Sequence, residues 1–243
     1  MELRGRVALV TGAGRRLGRA IALALASRGM TVALHHHQSR EGAEEARSQV
    51  VAGGGRAECF EADLRDAAAA RALPGRVAAR FGQLDVLVNS AATMVRLPVE
   101  ETTPAAWDEI IALNLRAPFF CAQGAIPALR ASKGRIINIA DVGGLEAWAG
   151  YAAHCISKAG VVMLTKTLAR ALAPDVTVNA VAPGAVLLPE DWSAGAADHL
   201  RQTTPLQRLG TPEDAVGAVL FLLEGGDFLT GQTIVVDGGR LVR

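Results

Sequence analysis

Gly12, Gly14 and Gly18 punctuate the chain where the apolar run Val7-Ala8-Leu9-Val10 gives way to the alanine-rich, helix-periodic segment from Arg19 to Ser27. Glycines at a strand-to-helix turn let the backbone approach a pyrophosphate with no Cβ between them. The helix behind aims its unpaired N–H groups and positive dipole end at the phosphates. A second apolar strand, Thr31 to Leu34, follows at the distance a βαβ unit requires. The chemistry this spacing predicts is dinucleotide binding.

Polar residues then recur at corresponding places. His35-His36-His37-Gln38-Ser39, Asp63-Leu64, Asn89-Ser90-Ala91-Ala92, Asp141-Val142-Gly143-Gly144 and Ala182-Pro183-Gly184 each follow an apolar, β-branched run. In an open α/β sheet ligands lie beyond the carboxyl ends of the strands, so these residues point to one site along one sheet edge. The elements that must position them are strands near 6–11, 31–35, 56–61, 85–89, 134–140, 176–181 and 232–236, separated by helix-sized segments. That rhythm predicts an α/β fold with a doubly wound, seven-stranded parallel sheet and helices on both faces. Residues 1–243 read as one domain. The long irregular stretch Val186 to Pro205 reads as a mobile lid over the substrate, carrying a short helix.

Composition narrows the class. With 243 residues, 50% of them apolar and 20% charged, the chain is long enough for a three-layer core. Twenty-five basic residues against twenty-four acidic ones, spread along the chain, argue against a nucleic-acid partner. Cys59, Cys121 and Cys155 are odd in number and follow no metal-ligand spacing, so no metal site and a reduced, cytoplasmic setting are expected. No apolar run reaches membrane-spanning length and the N-terminus shows no signal-type region, so no membrane partner is expected.

The turn Thr11-Gly12-Ala13-Gly14-Arg15-Arg16-Leu17-Gly18 resembles the TGxxxGxG turn of the short-chain dehydrogenase/reductase family, with Arg16 at the middle glycine. Pteridine reductases carry the same TGxxxRLG variant. The resemblance runs over essentially the whole chain and implies a single-domain Rossmann-type fold. Asp63 matches the family's acidic residue near the adenine, Asn89-Ser90-Ala91-Ala92 its NNAG stretch, Asn114 its active-site asparagine, Lys158 its catalytic lysine and Pro183-Gly184 its nicotinamide-side loop. The family transfers hydride from a nicotinamide to a carbonyl or C=N bond, a tyrosine giving the proton and the lysine holding the ribose. The cofactor set this implies is Gly12, Gly14, Arg16, Leu17, Gly18, His37, Ser39, Asp63, Leu64, Asn89, Ala91, Lys158, Pro183, Gly184 and Val186. The cofactor expected is NADP(H), because no acidic residue follows strand two to take a ribose diol, while Arg16, His37 and Ser39 suit a 2′-phosphate. Gln38 stands where pteridine reductases have an arginine.

Two positions depart from the family. The tyrosine four residues before the lysine is His154, and the serine thirteen residues before that tyrosine is Asp141, as it is in pteridine reductases. One reading makes an Asp141–His154 dyad the proton donor, since a free imidazole titrates near ~6.5 against ~10 for a phenol and donates near neutral pH unaided. A second gives the role to Tyr151, one further turn from Lys158. A third is a catalytically degenerate NADPH-binding scaffold or sensor. Met94, Trp148, Tyr151, Leu187, Leu188 and Trp192 are the expected pocket for a flat or apolar substrate. The main expectation is a pteridine reductase-like enzyme; Met94 and Ala92 replace pterin-contacting residues, so a 3-oxoacyl thioester, sugar or small-ketone reductase is the alternative. By the same resemblance, helices near Leu115 to Ala131 and Gly150 to Leu172 and the strand Gly231 to Val236 would join subunits in a homotetramer or homodimer.

Overall fold

Strands buried on both faces need no polar alternation, as the central ones show, and each expected segment forms a strand: β1 Val7–Val10, β2 Thr31–His36, β3 Arg56–Glu61, β4 Val86–Asn89, β5 Arg135–Ile139, β6 Thr177–Pro183 and β7 Thr233–Val236. The computed structural model describes residues 1–187 and 194–242. All strand pairs are parallel, in the order β3-β2-β1-β4-β5-β6-β7. The order reverses between β1 and β4, and the crevice beyond their carboxyl ends is the ligand position of a doubly wound sheet.

Helices α1 (Arg16–Ser27), α2 (Arg40–Ala52), α3 (Ala67–Phe81), α4 (Pro104–Ile111), α5 (Ala117–Ser132), α6 (Ala152–Leu172), α7 (Ala194–Thr203) and α8 (Pro212–Glu224) complete the chain. Alternate strand residues divide between two cores. Ala8, Val10, Val86 and Val88 pack with Ile21, Leu25, Val219 and Leu222 on one face, while Val7, Leu9 and Leu87 pack with Leu73, Val77, Ala122 and Leu129 on the other. Among the described residues no helix is long and apolar enough to cross a membrane.

Three boundaries differ from expectation. β2 runs on to His36, so His35 and His36 are buried strand residues and only His37 begins the exposed loop. Tyr151 is the N-cap of α6, with extended φ of −140°, and does not share the helix face that carries Lys158. A π-helical turn, Ala112–Arg116, separates α4 from α5, so the helix expected from Leu115 begins at Ala117. Within the segment read as a lid, α7 is the short helix; residues 188–193, including Leu188 and Trp192, lie outside the described residues.

Candidate active site

The glycine turn is fixed from both sides. Thr11 Oγ1 accepts the N–H groups of Ser90 and Ala91 at 2.9 and 3.0 Å, locking the end of β1 to the segment after β4. Gly12 has φ of +67°, and a Cβ there would lie 2.9 Å from Ala91 Cα. A Cβ at Gly18 would lie 2.3 Å from Gly12 O, and one at Gly14 2.4 Å from Ser39 Oγ. The glycines are thus required first by contacts between protein segments, and the shallow cradle they leave at the start of α1 is what a bulkier turn would fill. The first-turn amides of α1 lack intrahelical partners, and no acidic residue stands in that turn to cancel the dipole. These features fit a bound pyrophosphate.

The residues expected at the 2′-phosphate gather at the same edge, with one difference. His37 is exposed, its Nε2 3.9 Å from Asp63 Oδ2, and Ser39 lies against Gly14. Asp63 is gripped through both oxygens by the Arg65 guanidinium, at 3.0 and 2.9 Å, and that contact holds its carboxyl down at about 2. Arg16, in the left-handed region at φ of +51°, donates to Leu187 O at 2.7 Å and so ties the turn to the start of the lid segment. Leu64 is buried beyond β3. Asn89 turns its side chain away from the crevice: Nδ2 donates to Asn138 Oδ1 at 2.9 Å, and Asn138 in turn donates to Thr165 Oγ1 at 2.9 Å. Its amide belongs to the core between β4, β5 and α6. On the far side Gly184 packs against Asp237, where a Cβ would stand 2.9 Å from the backbone, and its N–H donates to Val236 O at 2.9 Å. Val186 follows, its N–H on Gly184 O at 2.9 Å.

Asn114, His154, Asp141 and Lys158 come together. The π-helical turn brings Asn114 inward, 1% exposed, where its Oδ1 accepts Thr93 N–H at 2.8 Å and its Nδ2 donates to Thr93 O at 2.9 Å and Ser157 Oγ at 3.1 Å. His154 Nδ1 lies 3.4 Å from the same Thr93 carbonyl. A carbonyl only accepts, so Nδ1 carries the hydrogen and Nε2 is the ring's open nitrogen. Nε2 is buried, makes no hydrogen bond among the described residues and faces Asp141 Oδ2 at 3.8 Å. Asp141 is itself held by its other oxygen, Oδ1, which accepts Gly143 N–H at 2.7 Å in a short 3-10 turn. Lys158, one helical turn beyond His154, donates from Nζ to Ile139 O at 2.8 Å. Burial pulls its ammonium from the usual 10.5 to about 8, with the Asp141 carboxylate opposing the fall.

Trp148 lies beside His154. Its ring is 7° from parallel with the His154 ring at 6.4 Å, and Tyr151 meets it edge-on at 6.1 Å. Glu146 accepts the Trp148 indole N–H at 3.2 Å and lies 3.6 Å from Arg240, whose guanidinium covers the same indole. Met94 is 42% exposed.

Sequence reasoning missed Thr93 and Ser157. Ser157 is fully buried, donating to His154 O at 2.6 Å, and its place beside Lys158 was the available signal. Thr93 acts through its backbone, which no side-chain pattern announces.

A parallel sheet reversing at a glycine turn, with a buried lysine across the crevice, defines a dinucleotide-dependent oxidoreductase. Residues 12–240 match the family model described as enoyl-(acyl carrier protein) reductase. The chain is 38% identical over 249 residues to a 3-oxoacyl-(acyl-carrier-protein) reductase of Synechocystis sp., covering 99% of this chain and 98% of that one. A 3-oxoacyl-(acyl-carrier-protein) reductase of Staphylococcus aureus is 40% identical over 244 residues, with 96% of each chain covered. Among solved structures, a dehydrogenase/reductase from Sinorhizobium meliloti 1021 superposes with a TM-score of 0.92 at 38% identity, over 98% of this chain and 97% of that one. A short-chain dehydrogenase/reductase of Serratia marcescens does so with a TM-score of 0.92 at 36% identity, over 99% of both chains. The chain belongs to the short-chain dehydrogenase/reductase family, and its cofactor is of the nicotinamide class.

Proposed function

We propose that this protein is an NADPH-dependent reductase of a 3-oxoacyl thioester or comparable small ketone, with the Asp141–His154 pair as proton donor and Lys158 as the cationic partner. The relatives named as 3-oxoacyl reductases support this substrate class ahead of a pterin, and the lack of an aromatic at Met94 agrees with it. NADPH is supported by the edge after β2, where Ser39 lies against Gly14, His37 is exposed beside it, and the sequence directly after the strand carries no acidic residue to take a ribose diol. A dihydropterin is the second reading, favoured by Asp141 and by the Arg16-Leu17-Gly18 form of the turn.

The observation that carries the proposal is His154 Nε2, buried, without a hydrogen bond and 3.8 Å from a carboxylate. A nicotinamide held at the glycine turn and Lys158 would supply the hydride for the substrate carbonyl carbon. As negative charge grows on the carbonyl oxygen, a proton on His154 Nε2 passes to it, and Asp141 balances the charge on the ring that carries that proton. Thr93 O fixes the ring through Nδ1, and Asn114 and Ser157 fix Thr93 and the His154 backbone in turn. Lys158 is cationic at neutral pH and stands on the same helix face. Subunit association through α5 and α6, where Phe119, Ile156 and Met163 remain exposed, is proposed to give a tetramer or dimer; the setting is the cytoplasm, where the three thiols stay reduced.

NADPH consumption by the purified protein against 3-oxoacyl thioesters, diketones and dihydropterins tests the reading. Turnover on a 3-oxoacyl thioester that drops at least ~100-fold in His154→Ala, with NADPH affinity unchanged, is expected. Tight NADPH binding without turnover on any substrate, and activity appearing in His154→Tyr, would make the protein a scaffold instead.

A further inference from the structure

His35 lies outside the reaction, yet it is the side chain most closely tied to the dinucleotide turn. It is 3% exposed at the end of β2, between β1 and β3. Its Nδ1 accepts Gly12 N–H at 3.0 Å, and its Nε2 stands 3.0 Å from Ala62 O. An amide only donates and a carbonyl only accepts, so both nitrogens have a single possible role: Nδ1 bare, Nε2 protonated, the ring neutral. Burial agrees, pulling the imidazole from 6.5 down to about 4. The backbone joins in, since Ala13 N–H donates to His35 O at 2.8 Å.

We propose that His35 is the positioning residue of the cofactor site: by taking up the amides of Gly12 and Ala13 from within the sheet, it holds the turn in its phosphate-binding form and leaves recognition to the amides that follow. A turn with φ of +67° at Gly12 has many alternatives open to it, and glycine supplies no side chain to choose among them. The choice is made by an acceptor placed across the strand, rigid because its own far end is anchored on β3. No other ring in the chain could do this, because only imidazole offers an acceptor and a donor at that separation on a flat, short side chain.

The inference rests on the dinucleotide reading, and two substitutions separate it from simple core packing. Asparagine places an amide oxygen near the Nδ1 position and keeps the acceptor for Gly12; glutamine reaches the Nε2 position and keeps the Ala62 contact alone. NADPH and NADH titrations by nicotinamide fluorescence, run on folded protein well below each melting point, are expected to give His35→Gln at least ~10-fold weaker binding and His35→Asn affinity within ~3-fold of the parent. Amide exchange read at Gly12 is expected to be protected in the parent and in His35→Asn, and fast in folded His35→Gln. Equal affinity in all three, or losses that track melting temperature with Gly12 protected throughout, would overturn the proposal. Should the parent bind neither dinucleotide, the cofactor reading fails by itself, and the Gly12 exchange rates still report whether His35 sets the turn.

Discussion

Lys158→Met should stabilise the cofactor-free protein at neutral pH and destabilise it in alkali. The ammonium is 5% exposed, and burial lowers it from 10.5 to about 8. At about 1.4 kcal/mol for each pH unit, that gap caps the folding penalty at about 3 kcal/mol. Below pH 8 folded and unfolded chains are both protonated and the full penalty is present. Between pH 8 and 10.5 the unfolded chain holds a proton that folded Lys158 has released, so wild-type stability climbs with pH. Methionine removes the penalty and keeps the packing, but strands the Ile139 carbonyl that Nζ reaches at 2.8 Å, which costs about 1–2 kcal/mol at any pH. The variant should therefore be more stable by about 1–2 kcal/mol at pH 7, level near pH 9, and less stable by about 1 kcal/mol at pH 10.5. Urea unfolding of both proteins across that range gives the difference directly, and titrations common to both cancel. A difference that is flat with pH, or a variant weaker at pH 7, would refute the burial argument.

Gly18→Ala places a Cβ 2.3 Å from Gly12 O, a backbone atom that cannot step aside, so a loss of about 1–3 kcal/mol in melting analysis and at least ~10-fold in NADPH affinity are expected. Asp85 accepts Arg6 Nη1 at 2.7 Å, Val7 N–H at 2.8 Å and Gln83 Nε2 at 3.0 Å while almost fully buried; Asp85→Ala should cost about 3 kcal/mol in urea unfolding, and Asp85→Asn less. His35, with His36 and His37 following it along the chain and Arg76 on α3, is pulled by burial from 6.5 to about 4 on folding. Its contribution is complete above pH 6.5 and lost as pH falls to 4, up to about 3 kcal/mol, so His35→Asn should show a correspondingly shallower acid unfolding curve.

The seven strands were legible to within about two residues; the central ones, β1, β4 and β5, are covered on both faces and print as apolar runs, while the edge strand β3 mixes polar and apolar residues. That same signal failed where a strand ended in polar residues. His36 read as loop, yet β2 runs on through it and buries it, beside His35, whose ring is bonded at both nitrogens. The direction of the Asn89 side chain was not legible either, since a strand-end residue points to either face and Asn138, opposite in the register, holds its amide in the core. Asn114 could be placed by motif alone; what turns it inward is a π-helical turn, which periodicity does not reveal.

Whether the site works as an enzyme turns on what its residues do for the fold. Lys158 weakens the folded state below pH 8 on the arithmetic above, and His154 Nε2 is buried with no hydrogen bond among the described residues. A chain that used the dinucleotide only as a structural weight would gain stability by replacing either group with an apolar one. Asn114, Thr93 and Ser157, by contrast, are satisfied throughout and serve to hold His154 at a fixed angle to Asp141. Stabilising residues arranged around two that are costly to bury is a distribution that agrees with the proton transfer proposed above. The neutral-pH gain predicted for Lys158→Met is therefore also a test of function. If that variant is more stable and inactive, the cost of the lysine is carried for chemistry.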